Sequence, residues 1–217
     1  RAEWLRFTQT IGHGDSSDES LQERIIKSMA DITDSPSGIL LLPSDTGRFE
    51  LAAQWEWRGL EVPSDPVPSA LAHVFEQESF ILDVDDVRAG REQHGEAAAV
   101  PEWIKDEPRA WALIPLLHFD RLTGVVVLAR PAEPRRLDWE DFDLLKVVGR
   151  QLASYLAEQS GQEALMESAR FDEFNRRIAF VMHDIKNLAS QLSLLARNAE
   201  RHADNPEFRA DMLVTLR

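Results

Sequence analysis

The sequence predicts an α+β fold, in which an antiparallel sheet with flanking helices continues into one long C-terminal helix. Three observations favour this class. Short apolar runs bounded by glycine, proline or turn residues are typical of buried strands. Segments with apolar residues at helical spacing separate these runs. From Asp138 onward apolar residues recur every three or four positions, and no proline occurs between Pro134 and Pro206, so nothing requires this helix to end before about residue 203.

The part of the chain before Asp138 is predicted to alternate between helices and strands. Ser17 or Asp18 is expected to cap the first helix, and the turn-like SDTG joins the first two strands as a hairpin. The polar segment 85–107 is predicted to be a loop with one helical turn around Glu102. The predicted elements are helix 20–32, strands 39–42 and 48–57, helix 69–78, strand 79–84, and strands 110–119 and 123–130 with the turn-like DRLTG between them. A last helix is predicted to start at Pro206 with Asn205 as its cap.

The composition excludes several classes of function. A formal net charge of -14 over 217 residues argues against nucleic acid and against direct contact with an anionic membrane. The absence of cysteine excludes disulfides, thiolate zinc sites, cysteine nucleophiles and thioether-linked chromophores. No apolar run approaches the roughly 20 residues of a membrane span, so we expect a cytoplasmic chain. It begins without an initiator methionine, and we expect it to be part of a longer protein, whose inner-membrane anchor, if any, lies elsewhere.

The acidic excess ends near residue 170, which indicates a domain boundary. Residues 171–217 hold seven acidic and seven basic side chains, so the excess of acids lies before them. With the pattern of elements, this predicts four parts. They are an N-terminal connecting helix and loop at 1–17, an α+β domain at 18–158, a helical linker at 159–170, and a second helical region at 171–217.

Beyond residue 170 the apolar residues form one heptad seam, with steps that alternate between three and four. This pattern pairs helices in a coiled coil or four-helix bundle, and it predicts a homodimer. The heptad seam consists of Phe171, Phe174, Ile178, Val181, Ile185, Leu188, Leu192, Leu195 and Ala199. An earlier stripe is out of phase with it and consists of Leu145, Val148, Leu152, Tyr155, Gln159, Met166 and Ala169. Either the stripe moves from covering the sheet to pairing with a partner, or the phase change marks a helix that rotates on signalling.

The heptad register places His183 at position f, opposite the seam, and therefore in solvent. A carboxylate on Asp184 could hold Nδ1 and leave the Nε2 lone pair as a nucleophile. Asn187, one turn on, could donate to a phosphoryl oxygen, and Lys186 adds positive charge near an arriving phosphate. The alternative interpretation is one solvated histidine on a polar helix face.

The middle of the chain resembles a known family of sensor domains. The pieces ALAHVFEQESFILDVDDV, AWALIPLLHFDRLTGVVVLARP and RRLDWEDFDLLKVVGRQLASYLAEQ resemble the GAF family over roughly residues 18–158, with Pro115, Leu116, Gly124 and Val125 at its characteristic positions. The resemblance implies a small-molecule pocket between the sheet and the long loop. The candidates to line it are Trp55, Trp57, Trp103 and Trp111, unless these tryptophans are core or dimer contacts. The scattered His73, His94 and His118 indicate no metal or haem site.

The run HDIKN at 183–187 resembles the H-box of sensor histidine kinases, although Leu188 stands where the common box has proline. The resemblance implies that residues 171–217 are a partial dimerisation and phospho-acceptor region, in which His183 accepts phosphate and Asp184 acts as general base. It also implies ATP and Mg in the full-length enzyme and a response regulator as partner. No glycine follows Gly161 to build an ATP-binding loop, so no cofactor is expected within these residues, which should be inactive alone. The run from His183 to Leu213 further resembles the kinases associated with PEP-CTERM/exosortase systems. The alternative is a non-catalytic GAF module for dimerisation or small-ligand binding, coupled through a coiled coil to another output.

Overall fold

The computed structural model describes residues 20–92, 94–133, 135–202 and 204–215. Its helices are α1 (Leu21–Thr33), α2 (Ser69–Glu78), α3 (Val84–Arg88), α4 (Glu102–Asp106), α5 (Trp139–His202) and α6 (Pro206–Thr215). Its strands are β1 (Gly38–Pro43), β2 (Phe49–Trp55), β3 (Leu82–Asp83), β4 (Ala110–His118) and β5 (Arg121–Ala129). The connecting helix predicted at 1–17 lies outside the described residues. So do Ser17 and Asp18, and the side chain that caps α1 is Ser20, whose Oγ accepts the Glu23 N–H at 3.2 Å.

The five strands form one antiparallel sheet in the order β2-β1-β5-β4-β3. The predicted hairpin of the first two strands is present, with Gly38 opposite Trp55. The second predicted hairpin is β4–β5, and β1 pairs with β5 to join the two hairpins. The sheet and its helices confirm the predicted α+β class.

Both faces of the sheet are covered, which explains why its central strands are apolar throughout. Along β1, Leu40 packs in the core formed with α1 and the start of α5. Its neighbours Ile39 and Leu41 pack in the core formed with α2, α3 and α4. Successive strand residues point to opposite faces, so a strand buried on both faces needs apolar side chains at every position.

The first turns of α5 are fixed against the sheet. The helix begins with a reciprocal cap, in which the Asp138 carboxylate accepts the Asp141 N–H at 2.9 Å and the Asp141 carboxylate accepts the Asp138 N–H at 3.0 Å. The buried stripe beyond it is Leu145, Val148, Leu152 and Leu156. Tyr155, which the sequence placed in this stripe, is instead 43% exposed.

Gly149 lies on the side of α5 that packs against the sheet. A Cβ atom at this position would lie 3.4 Å from the carbonyl oxygen of Pro115. The chain forms two compact units, one ending at Gln159 and the other beginning at Ser160.

The segment predicted as a loop at 85–107 contains more structure than its sequence pattern indicates. The helical turn at Glu102 is present as α4, but α3 and a short 3₁₀ turn at Glu96–Ala98 were not predicted. One side chain holds this segment together. The Arg88 guanidinium donates to the carbonyl oxygens of Ile104 (3.1 Å), Lys105 (3.1 Å), Glu107 (2.6 Å) and Ala110 (2.9 Å).

The turn between β4 and β5 differs from the predicted DRLTG. Strand β5 already begins at Arg121, and the two-residue turn is Phe119–Asp120. Both turn residues have left-handed backbone conformations, with φ of 46° and 60°. This turn type favours asparagine and glycine, whereas a bulky side chain at positive φ is disfavoured. Phe119 is also 88% exposed, so little burial offsets the backbone strain.

We expect Phe119→Asn to stabilise the protein by about 1 kcal/mol, because asparagine tolerates this backbone conformation. Urea denaturation followed by circular dichroism measures the change. The matched control is Phe180→Asn, which removes another exposed phenylalanine, this one from a helix where asparagine is the poorer residue. A midpoint for Phe119→Asn equal to or below that of the original protein contradicts the prediction.

Candidate functional site

The predicted phospho-acceptor residues all lie on α5, in the unit that begins at Ser160. His183, Asp184, Lys186 and Asn187 are exposed, and the His183 side chain keeps 68% of its surface in solvent. The sequence favours an uninterrupted helix here because neither glycine nor proline occurs from 162 to 205. The helix thus presents the imidazole on a regular backbone.

Two side chains approach the same nitrogen of His183. The Asn187 Nδ2 atom lies 3.2 Å from Nδ1, and the Asp184 Oδ1 atom lies 3.5 Å from it. An amide N–H requires Nδ1 to accept, whereas a carboxylate requires Nδ1 to donate. Rotation of the amide by 180° replaces Nδ2 with Oδ1 and makes both contacts compatible with an Nδ1–H donor. Neither contact involves the other ring nitrogen, Nε2.

The heptad seam lies away from His183 and is exposed within a single chain. From Phe171 to Leu192 its large side chains keep between 45% (Ile178) and 63% (Phe171) of their surface in solvent, whereas Leu195 is half-buried. A continuous exposed apolar stripe of this kind is typical of a surface that pairs with another helix.

The four tryptophans do not form one pocket, so that hypothesis is wrong. Trp57 and Trp111 are buried at 1% and 2% exposure, as expected of core residues. Trp55 and Trp111 pack on the α1–α5 face of the sheet, whereas Trp57 and Trp103 pack on the opposite face. The Trp103 indole donates to the Pro66 carbonyl oxygen at 3.0 Å, which fixes it to the loop before α2.

A different opening lies beside β3, and its residues were not singled out together from the sequence. This β3–α5 cleft has a volume of about 430 Å³. Its lining includes Phe80, Asp86, Arg91, His94, Arg136 and Trp139. His94 is therefore the one of the three scattered histidines that lies in it, while His73 and His118 are elsewhere. Across the described residues, no group of three His, Asp or Glu side chains is arranged to hold a metal ion.

Asp83 forms part of the cleft wall and caps α3. Its Oδ1 accepts the backbone N–H groups of Asp85 at 2.9 Å and Asp86 at 3.2 Å. Burial raises the pKa of the Asp83 carboxyl above its ordinary value, although these two backbone hydrogen bonds act in the opposite direction. The charges of Asp86 and Asp85 add to the increase.

The sheet with helices on both faces is an α+β domain, and the rest of α5 continues beyond it as a helical segment. Residues 15–157 match the family model described as GAF domain, and the chain therefore belongs to the GAF domain family. No curated protein matches the chain. Among the described ranges, no helix combines the length and the apolar character of a membrane span.

Solved structures of one GAF domain and of bacteriophytochromes are similar to this chain. The GAF domain of an Acinetobacter phosphoenolpyruvate-protein phosphotransferase is 17% identical, with a TM-score of 0.52, over 74% of this chain and 93% of that chain. The bacteriophytochrome RpBphP3 of R. palustris is 13% identical, with a TM-score of 0.54, over 82% of this chain and 41% of that chain. The chromophore-binding domain of a Stigmatella aurantiaca bacteriophytochrome is 12% identical, with a TM-score of 0.51, over 72% of this chain and 60% of that chain. At these identities the likeness shows the fold.

Proposed function

We propose that this chain is the sensor and phospho-acceptor region of a dimeric protein-histidine kinase in a two-component system. His183 accepts phosphate from ATP, which a catalytic domain outside these residues holds together with Mg. The phosphate then passes to an aspartate of a response regulator. The observation that carries the proposal is the exposed imidazole on α5, opposite the heptad seam, with Asp184 and Asn187 both at Nδ1.

The chemistry follows from the two nitrogens of the ring. Asp184 accepts a hydrogen bond from the Nδ1–H group and thereby keeps the lone pair on Nε2. Nε2 attacks the γ-phosphorus in line with the leaving oxygen, so that a P–N bond forms while the P–O bond to ADP breaks. The carboxylate stabilises the positive charge that develops on the imidazole. Asn187 and Lys186 supply a donor and a positive charge for the oxygens of the phosphoryl group.

The exposed heptad seam supports a homodimer, because two copies of α5 can cover each other's apolar side chains. We place this dimer in the cytoplasm, where ATP and response regulators are available. The resemblance of the run from His183 to Leu213 supports the narrower assignment to PEP-CTERM/exosortase-associated kinases.

Mapping the phosphate tests this function. The full-length protein is incubated with ATP and Mg, digested with trypsin at neutral pH, and analysed by mass spectrometry. We expect an acid-labile phosphate on the peptide 178–186, whose one histidine is His183. An active full-length protein that carries its phosphate on another residue overturns the assignment of the site.

The second candidate is a non-catalytic dimerisation or small-ligand module that uses the coiled coil to control another output. Leu188, in place of the usual proline, favours it, and the heptad seam would pair with or without phosphate chemistry. A full-length dimer that binds ATP but incorporates no phosphate supports this candidate over the first.

A further inference from the structure

The β3–α5 cleft has the size and position of a binding site. Its volume of about 430 Å³ lies within the roughly 300–1,000 Å³ that is typical of small-molecule pockets. Its walls come from residues 80–83 at β3, from α3 and the segment after it, and from residues 136–146, which lead into the first two turns of α5. All of these belong to the unit that ends at Gln159.

Three of the four carboxylates in the cleft wall, those of Asp83, Asp86 and Glu96, already accept hydrogen bonds from the protein, and the fourth, on Asp143, is exposed. Asp86 accepts from Arg91 Nη2 at 2.8 Å and Nε at 2.9 Å, and from Arg136 Nη2 at 3.1 Å. Glu96 is only 6% exposed, and its Oε2 accepts the His94 backbone N–H at 2.7 Å. These three carboxylates are therefore engaged, and they repel a bound anion less than three free carboxylates would.

Among the described residues, the two guanidinium groups of the cleft have more N–H donors than Asp86 occupies. Arg91 and Arg136 share the single carboxylate of Asp86, so this cluster of three side chains carries a net positive charge. Each guanidinium has five N–H donors, and only two of Arg91 and one of Arg136 point at Asp86. Lys146 contributes a third cation to the same wall. The open hydrogen-bonding capacity of the cleft is thus suited to an anionic group.

The rest of the wall is aromatic. Phe80 and the His94 ring stack with centroids 4.3 Å apart and an angle of 25° between planes. Phe142 is half-buried, whereas Trp139, at the start of α5, is 71% exposed. An exposed indole beside a cleft gains contact area when a flat ring packs against it.

We propose that the β3–α5 cleft binds a small aromatic acid, with its negative group at Arg91 and Arg136 and its ring against Trp139 and Phe142. This inference deepens the sensing role within the proposed function by naming a ligand class and a place. It locates the ligand at the start of α5 and away from the tryptophans buried in the two cores.

Isothermal titration calorimetry on the 217-residue chain tests the proposal without ATP. The probes are indole-3-acetate and phenyl phosphate, which present a carboxylate and a phosphate, and the neutral control is indole. We expect a Kd of about 0.1 mM for at least one acid. The acid that binds more tightly identifies the anionic group. Indole is expected to bind at least about tenfold more weakly, since it lacks the charge.

Three variants locate the site. Arg136→Ala and Trp139→Ala alter exposed side chains, and each is expected to weaken binding at least about tenfold. Arg121→Ala removes the same charge from the exposed start of β5, outside the cleft, and should leave the Kd unchanged. The inference is overturned if neither acid saturates the protein at millimolar concentration, if indole binds as tightly, or if the two cleft variants bind normally. None of these outcomes affects the mapping of phosphate to His183, so the two proposals fail separately.

Discussion

His183→Gln is expected to reduce phosphate incorporation from ATP into the full-length protein to background. Glutamine keeps the helix and a polar side chain of similar length, but its amide nitrogen is not a nucleophile at neutral pH. Asp184→Asn should lower the rate about 100-fold and leave the acceptor in place, because only the group that holds Nδ1 and its charge changes. The measurement is the time course of labelled phosphate on the protein.

His202→Gln provides a matched control for this prediction. His202 is an exposed histidine of the same helix, and its ring lies 6.0 Å from that of Phe208, so its loss leaves the site at His183 intact. We expect His202→Gln to be labelled at the original rate. Labelling of His183→Gln at a rate close to the original would rule out His183 as the acceptor.

Arg88→Met is expected to destabilise the GAF domain by about 3 kcal/mol. Its guanidinium supplies donors to four carbonyl oxygens at the end of α4 and the start of β4, and methionine supplies none. Each acceptor left without a partner away from water costs on the order of 1 kcal/mol or more. Guanidinium chloride denaturation of the 217-residue chain measures the change.

Arg130→Met is the control that separates the two contributions of Arg88 to stability, its hydrogen bonds to carbonyl oxygens and its ion pair with Asp85. Arg88 and Arg130 both contact Asp85 Oδ1, at 3.0 and 2.6 Å. The Arg130 side chain is 42% exposed, so its ion pair should contribute about 1 kcal/mol or less. Equal losses in the two variants would show that the ion pair, and not the set of carbonyl bonds, accounts for the stability.

Local sequence patterns were sufficient to predict those strands and helices in which buried positions recur at regular intervals or without interruption. The continuous apolar character of β1 and β4 follows from burial on both faces, and this signal survives in sequence. Helix α3 gave no such signal, because the contacts that hold it come from Arg88 and carbonyls 16 to 22 residues away. The β3–α5 cleft was missed for a related reason, since its walls come from separate stretches of chain that share no periodicity.

For Trp55 and Trp57 the tryptophan hypothesis failed at a single backbone position. Residues two apart in a strand face the same side, which would place Trp55 and Trp57 together. Glu56 has a φ of 51°, so the chain turns after Trp55 and Trp57 enters the opposite core. Nothing at Glu56 in the sequence indicates this conformation.

At His183 the heptad register predicted an exposed ring, and the ring is exposed. From the sequence, only Asp184 was assigned to Nδ1, whereas in the structure Asn187 contacts this nitrogen as well. Consecutive helical residues point about 100° apart, whereas residues four apart nearly superpose on one face. Asn187 therefore lies closer to Nδ1 than the adjacent Asp184 does, at 3.2 against 3.5 Å.

The burial of the first turns of α5 against the sheet limits where this helix could twist during signalling. Turning its first turns about the helix axis would expose Leu145, Val148, Leu152 and Leu156, at a cost of about 8 kcal/mol for the four side chains. Coupling between a ligand and a distant site typically amounts to about 1–3 kcal/mol, which is too little for that movement. The first turns of α5, as far as Leu156, should therefore stay fixed on the sheet. A signal carried by rotation of this helix about its axis has to begin after Leu156.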